Sequence, residues 1–255
     1  MCGVCGCSSH DGHAQNAQYH EHQHKHSTIE LHAVELDILA KNNAYAAENR
    51  RRFEKNGIVA FNFLSSPGAG KTTLLVKTLA ALKARLSVAV IEGDQETSID
   101  AHRIKAVGIP AVQINTGRGC HLDAHMVGHA LDEIPLEPGG MLFIENVGNL
   151  VCPATFDLGE HQKIAILSVT EGDDKPLKYP DTFAAASTLI VSKSDLLPHV
   201  DFDVDRCIEN ARSINPDIGV FTLSSRSGEG METWLGWLEN YARRTSANTE
   251  IATHA

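Results

Sequence analysis

Ser65-Ser66-Pro67-Gly68-Ala69-Gly70-Lys71-Thr72-Thr73 decides how this chain folds. The apolar run 58–64 precedes it as a candidate strand, and Leu74-Leu75-Val76-Lys77-Thr78-Leu79 follows as a helix, which is the context a phosphate-binding loop requires. Gly68 and Gly70 let backbone N–H groups converge on phosphate oxygens, and the helix N-terminus adds favourable dipole charge. Lys71 then reaches the β- and γ-phosphates while the Thr72 hydroxyl is offered to Mg²⁺. Ser66, Pro67, Ala69 and Thr73 complete the cradle. Ser65 occupies the first position, where Gly is usual, and as a small residue it leaves the cradle intact.

Outward from this loop, short β-branched runs recur at 88–91, 111–114, 141–144, 164–169, 189–191 and 218–223, with helical patterns between most of them. Such alternation implies right-handed βαβ crossovers and an α/β fold, with a mostly parallel sheet covered on both faces. Ligands of these sheets sit beyond the C-terminal strand ends. After run 189–191 comes Ser192-Lys193-Ser194-Asp195, which resembles the guanine-specifying Asn-Lys-x-Asp box. The Asp195 carboxylate can accept both N1–H and N2–H of guanine, and Lys193 can lay its stem along the base. Ser192 replaces the usual Asn, so one tether is lost or changed. Ser224-Ser225-Arg226, after the last run, resembles the supporting Ser-Ala-Lys loop.

Glu145-Asn146-Val147-Gly148 resembles the Asp-x-x-Gly switch element. Gly148 is placed to turn its amide toward a γ-phosphate. Mg²⁺ keeps several waters and takes few carboxylates, so Glu145 is the leading partner. Asp94 is the second candidate, either a Mg²⁺ partner or the cap of a helix over 97–107. The catalytic set predicted from sequence is Lys71, Thr72 and Glu145, working by positioning and charge stabilisation.

Composition limits the partners. The chain has 255 residues, 42% of them hydrophobic, enough for one α/β core plus an arm. A net charge of −10 disfavours nucleic acid and anionic membranes as partners. No run approaches a membrane span, and the first residues do not form a signal peptide, so a cytoplasmic location is expected.

In a reducing compartment, cysteines are thiols or metal ligands rather than bridges. Cys2, Cys5 and Cys7 put three thiols within seven residues, and removal of Met1 would add the Cys2 amine. The set suits square-planar Ni²⁺ or tetrahedral Zn²⁺. Six His follow, from His10 to His26, and residues 1–26 are expected to be disordered without metal. Ser27-Thr28-Ile29-Glu30 reads as a capping box starting a linker helix over 27–56. The GTPase-type domain is then 57–245, and 246–255 a disordered tail. Farther along, Cys120-His121 is read as opening a helix on which His121, His125 and His129 share one face. Cys152 lies four residues past Gly148, where nucleotide state could move it.

Taken together, Cys2-Gly-Val-Cys5-Gly-Cys7, Ser66–Thr73, Gly119-Cys120-His121-Leu122-Asp123-Ala124-His125 and Glu145-Asn146-Val147-Gly148-Asn149-Leu150-Val151-Cys152-Pro153 resemble the HypB family, the hydrogenase nickel-incorporation GTPases. The resemblance covers nearly the whole chain. It implies GTP hydrolysis to GDP gating nickel delivery, a high-affinity nickel site at Cys2, Cys5 and Cys7, and a nickel or zinc site at Cys120, His121 and Cys152 that can recruit His125. It also implies a homodimer linked to GTP or metal, a small nickel chaperone, HypA, as partner, and a hydrogenase large-subunit precursor as client. The competing readings are an accessory GTPase for another nickel enzyme such as urease, a nickel storage protein with a weak GTPase, and a P-loop kinase.

Overall fold

The computed structural model describes the backbone of residues 17–95 and 99–253 and the side chains of 36–95 and 100–245. Cys2, Cys5 and Cys7 therefore lie outside the described residues. Two compact units divide at Lys41/Asn42, and helix α1 (Ala17–Asn56) crosses the division.

In the second unit, strands alternate with helices: β1 (Val59–Ser65), α2 (Lys71–Leu82), β2 (Val88–Asp94), α3 (Ile99–Ala106), β3 (Ala111–Asn115), α4 (Ala124–Glu133) and β4 (Met141–Glu145). A short turn α5 (Cys152–Thr155) leads to β5 (Gln162–Ser168). The turns α6 (Lys175–Lys178) and α7 (Pro180–Ala185) follow, then β6 (Thr188–Ser192), α8 (Val204–Ile214), β7 (Gly219–Leu223) and α9 (Met231–Thr253). Every pairing is parallel, in the order β3-β2-β4-β1-β5-β6-β7. The seven expected strands are thus the seven observed. Successive connections leave β1 toward one edge and later return toward the other, so β1 and its neighbours form the switch point where α/β ligands bind.

Strand alternation distributes the core. Phe61, Phe63 and Phe143 face α2 and α9, packing on Leu74, Leu75, Leu79 and Trp234. Ala60, Leu142 and Ile144 face the other way, onto Phe53, Leu122 and Val127. Coverage on both faces explains why the strands read as continuous apolar runs. Burying each large side chain contributes about 1.5–3 kcal/mol. Trp234 satisfies its one polar atom by donating Nε1–H to Thr78 Oγ1 at 3.0 Å.

Three boundaries differ from expectation. Helix α1 begins at Ala17 rather than at the Ser27 capping box, because no Pro or Gly between Ala17 and Asn56 interrupts it. Similarly, α9 continues to Thr253 through most of the expected tail. The last stretch of α1 is part of the domain rather than a linker. Asn42 accepts from Ala124 N at 2.9 Å and donates to Asp157 O at 2.8 Å. Asn49 donates to Ala124 O and Leu158 O at 2.7 and 3.1 Å. Gly159, at φ 91°, passes so close that a Cβ there would lie 2.7 Å from Ala46 O.

Candidate functional site

The loop between β1 and α2 turns through left-handed residues, Gly68 at φ 77° and Gly70 at φ 96°. Only Gly adopts these angles at little cost. They open a cavity of about 510 Å³ floored by residues 65–73 and walled by Glu92, Asp94, Asp100, Arg103, Glu145 and Gly148. Thr72 donates to Glu145 Oε1 at 2.6 Å, and Lys71 Nζ lies 3.7 Å from the same oxygen. Glu145 and Glu92 are register partners at the ends of β4 and β2. Each is nearly fully buried, and each keeps an Oε2 with no hydrogen bond.

Burial raises the Glu145 pKa against the pull of Lys71 and the Thr72 hydrogen bond. Glu92 rises to about 8, first through burial and then through repulsion from Glu145, Asp94 and Asp100. Two orphaned buried carboxylate oxygens beside a threonine hydroxyl are a donor set that suits a hard divalent cation such as Mg²⁺. Asp94 lines the cavity and accepts from Gln95 N at 2.7 Å. Asp94 is the last residue of β2.

A second cavity of about 230 Å³ adjoins the first through Ala69, Gly70, Thr73 and Lys193. It is lined by Ser192, Asp195, Ser224, Ser225 and Arg226, where a base would sit. Ser192 supplies the tether that Asn would give: its hydroxyl donates to Ala69 O at 2.7 Å. Lys193, at φ 61°, donates to Gly68 O at 2.7 Å. Ser224 donates to Asp195 Oδ1 at 2.6 Å, which fixes the carboxylate.

Ahead of α4, the loop bearing Cys120 and His121 meets the start of α5. Ligand atoms of Cys120, His121 and Cys152 all fall within 4.8 Å of one another. Cys120 Sγ is 3.5 Å from His121 Nδ1, and the His121 ring stacks on Phe156 at 3.8 Å. Burial lowers the His121 pKa, favouring the neutral imidazole that ligates metals. A hydrogen bond with Cys152 and burial both raise the Cys120 thiol. Two sulfurs and a nitrogen suit a borderline ion such as Ni²⁺ or Zn²⁺, with the remaining positions filled from elsewhere.

One expectation fails here. Helix α4 begins at Ala124, capped by Asp123 through Met126 N at 2.7 Å. Cys120 and His121 are therefore loop residues, and His121 is out of helical register with His125. His125 is not in the Cys120–His121–Cys152 cluster; its ring packs on Tyr45 at 4.7 Å.

Segment 145–152 joins the two sites. Asn146 Oδ1 accepts from Leu122 N at 3.0 Å, and its amide donates to Asn62 Oδ1 at 3.3 Å. Gly148 rests on Pro67, where a Cβ would approach Pro67 Cγ to 3.2 Å. Asn149 donates to Cys120 O at 3.3 Å. A further tie runs from Thr116 N to Asp94 O at 2.9 Å.

Sequence reasoning missed Glu92, Asp100, Arg103 and Asn146. Glu92 carried a signal, a carboxylate two residues before Asp94 and so on the same strand face. The Asn146 contacts depend on the fold and left none.

A parallel α/β sheet with a phosphate loop, paired carboxylates behind it and an Asp-lined base cavity defines a P-loop nucleotide-binding protein of the guanine-reading type. Residues 60–222 match the CobW/HypB/UreG nucleotide-binding domain. The hydrogenase maturation factor HypB of Rhizobium leguminosarum bv. viciae is 63% identical over 219 residues, which cover 86% of this chain and 73% of that protein. That of Escherichia coli K12 is 59% identical over 206 residues, 81% of this chain and 71% of that one. The crystal structure of HypB from Helicobacter pylori in complex with nickel matches with a TM-score of 0.76 at 41% identity, covering 81% of this chain and 97% of that chain. The chain belongs to the CobW/HypB/UreG family of P-loop GTPases and, within it, to the HypB hydrogenase maturation factors.

Proposed function

We propose that this protein hydrolyses GTP to GDP and phosphate to gate the release of nickel, its cargo, from Cys120, His121 and Cys152 into a [NiFe]-hydrogenase precursor. The observation that carries this reading is the single short segment that begins at Glu145 in the phosphate cavity and ends at Cys152 in the metal cluster. Ordering of Gly148 by a γ-phosphate would move the chain that carries Cys152, while Asn146 and Asn149 hold the loop bearing its two partners.

In hydrolysis, backbone amides at Gly68 and Gly70 and the Lys71 ammonium bind and orient the phosphates. Asp195 holds the base, and Ser192 and Lys193 lock the base site to the phosphate loop. Thr72 and Glu145 would hold Mg²⁺, with Glu92 and Asp94 beside them. When bound, the ion neutralises charge developing on the β- and γ-oxygens. No side chain of the cavity is assigned as a base, so turnover is slow.

Cys2, Cys5 and Cys7 would act as a separate high-affinity nickel site, and Zn²⁺ would compete at the inner cluster. A GTP- or metal-linked homodimer, a small nickel chaperone of the HypA kind and a cytoplasmic setting complete the proposal.

Hydrogenase activity in a bacterial strain lacking its own HypB tests it. The wild-type chain should restore activity, while Lys71→Ala and Cys152→Ala should not. Restoration by both variants would overturn the reading.

A further inference from the structure

An imidazole turns about a broad, weakly preferred χ2 torsion, so an outside contact decides the plane in which its lone pairs lie. In metal sites that contact is ordinarily a hydrogen bond at the second ring nitrogen. His121 turns Nδ1 toward Cys120 Sγ at 3.5 Å, and its ring is gripped by a face: Phe156 stacks on it with centroids 3.8 Å apart and planes 29° apart. Phe156 is half-buried and ends the α5 turn that Cys152 begins. One turn therefore carries both a sulfur of the cluster and the ring that lies on its imidazole.

Helix α1 sets the spacing of the two segments. Asn42 donates to Asp157 O, next to Phe156, at 2.8 Å and accepts from Ala124 N, three residues past His121, at 2.9 Å. Two turns later on the same helix face, Asn49 repeats the bridge between Ala124 O and Leu158 O at 2.7 and 3.1 Å. Arg50 grips both oxygens of the Asp157 carboxylate at 2.9 Å. Asn42 and Asn49 are 5% and 2% exposed, so water does not compete for these bonds. On its other side the turn is anchored by Thr182 Oγ1, which donates to Leu150 O, and by Lys163 Nζ, which donates to Ala154 O at 2.8 Å.

We propose that Phe156 is a positioning residue of the inner nickel site: its ring fixes the plane of the His121 imidazole, and Asn42 keeps the two rings in contact. The inference rests on the reading that nickel is held by Cys120, His121 and Cys152. Phe156 adds no ligand. Because it rides on the turn of Cys152, a shift of that turn withdraws a sulfur and frees the imidazole together.

The test uses the full chain with Cys2, Cys5 and Cys7 changed to Ser and GDP bound, Ni²⁺ being titrated by thiolate-to-nickel charge-transfer absorption. Phe156→Leu, which fills the space without a flat face, should weaken nickel about tenfold. Phe156→Tyr, which keeps the ring, should bind like wild type, and Asn42→Ala should shift affinity in the same direction as Phe156→Leu. In a His121→Ala background Phe156→Leu should cost nothing further, since it acts only through that ring. In the metal-free protein, diethyl pyrocarbonate should modify His121 faster in Phe156→Leu than in wild type, as read by mass spectrometry, with GTP affinity unchanged. Equal nickel affinity in Phe156→Leu and wild type would overturn the proposal, as would an equal loss with and without His121, which marks a merely structural role. An unchanged His121 modification rate would overturn it too. A wild-type chain with no charge-transfer band would refute the nickel reading itself, while the modification rate still decides whether Phe156 holds the ring.

Discussion

Replacing Glu92 by Gln should stabilise the nucleotide-free protein, and more so as the pH rises. Glu92 is 3% exposed, and burial with the charges of Glu145, Asp94 and Asp100 lifts its pKa from 4.5 to about 8, Lys71 alone pulling the other way. The folded protein thus keeps a proton that the unfolded chain releases near pH 4.5. Below that pH both states are protonated and nothing is lost. Between about 4.5 and about 8, stability falls as the pH climbs, and above about 8 the loss is complete.

At about 1.4 kcal/mol per pH unit, the whole interval is worth at most about 5 kcal/mol, of which about 2 kcal/mol falls between pH 6 and pH 8. Gln keeps the shape of the side chain but has no proton to lose. Urea unfolding in chelator, without nucleotide, should show the variant gaining about 2 kcal/mol over wild type when the pH is moved from 6 to 8. A difference that stays within about 0.5 kcal/mol across that range would refute the buried-acid account.

Asn146→Ala removes the acceptor for the amides of Leu122 and Val147 and the donor to Asn62. It should cost about 2–3 kcal/mol in chemical unfolding and weaken any effect of nucleotide on the Cys120–His121 loop, measured by thiol-alkylation rates with and without a GTP analogue. Asp195→Asn exchanges a guanine acceptor for a mixed amide. Competition binding should show GTP affinity falling at least about tenfold, the equivalent of about 1.4 kcal/mol, while xanthosine triphosphate, which offers an oxygen at position 2, gains.

The seven strands and the turn from β1 into α2 were legible because each depends on local pattern: apolar runs on a doubly covered sheet, and glycines at left-handed positions. Where sequence reading failed, the cause was tertiary. Ser27 carries a valid capping pattern, but nothing upstream stops the helix, so it runs from Ala17. The spacing of three histidines places Cys120 and His121 at the start of α4, yet Asp123 is the residue that caps it, and the two residues fall in the preceding loop. This separates His121 from His125 and sends the latter to Tyr45 and His129. Asn42 and Asn49 look like ordinary polar helix residues in sequence, and only the fold shows that they bind the backbone at Ala124, Asp157 and Leu158.

The central claim is that the nucleotide cavity and the Cys120–His121–Cys152 cluster share one moving segment. The most direct measurement uses the full chain with Cys2, Cys5 and Cys7 changed to Ser, so that thiolate-to-nickel charge-transfer absorption reports the inner cluster. Ni²⁺ is titrated with GDP bound and then with a non-hydrolysable GTP analogue bound. The account predicts affinities that differ between the two states by about tenfold or more, a coupling of at least about 1.4 kcal/mol, with the absorption abolished by Cys152→Ala. Equal affinities in the two states would contradict it and leave the cluster a storage or structural site.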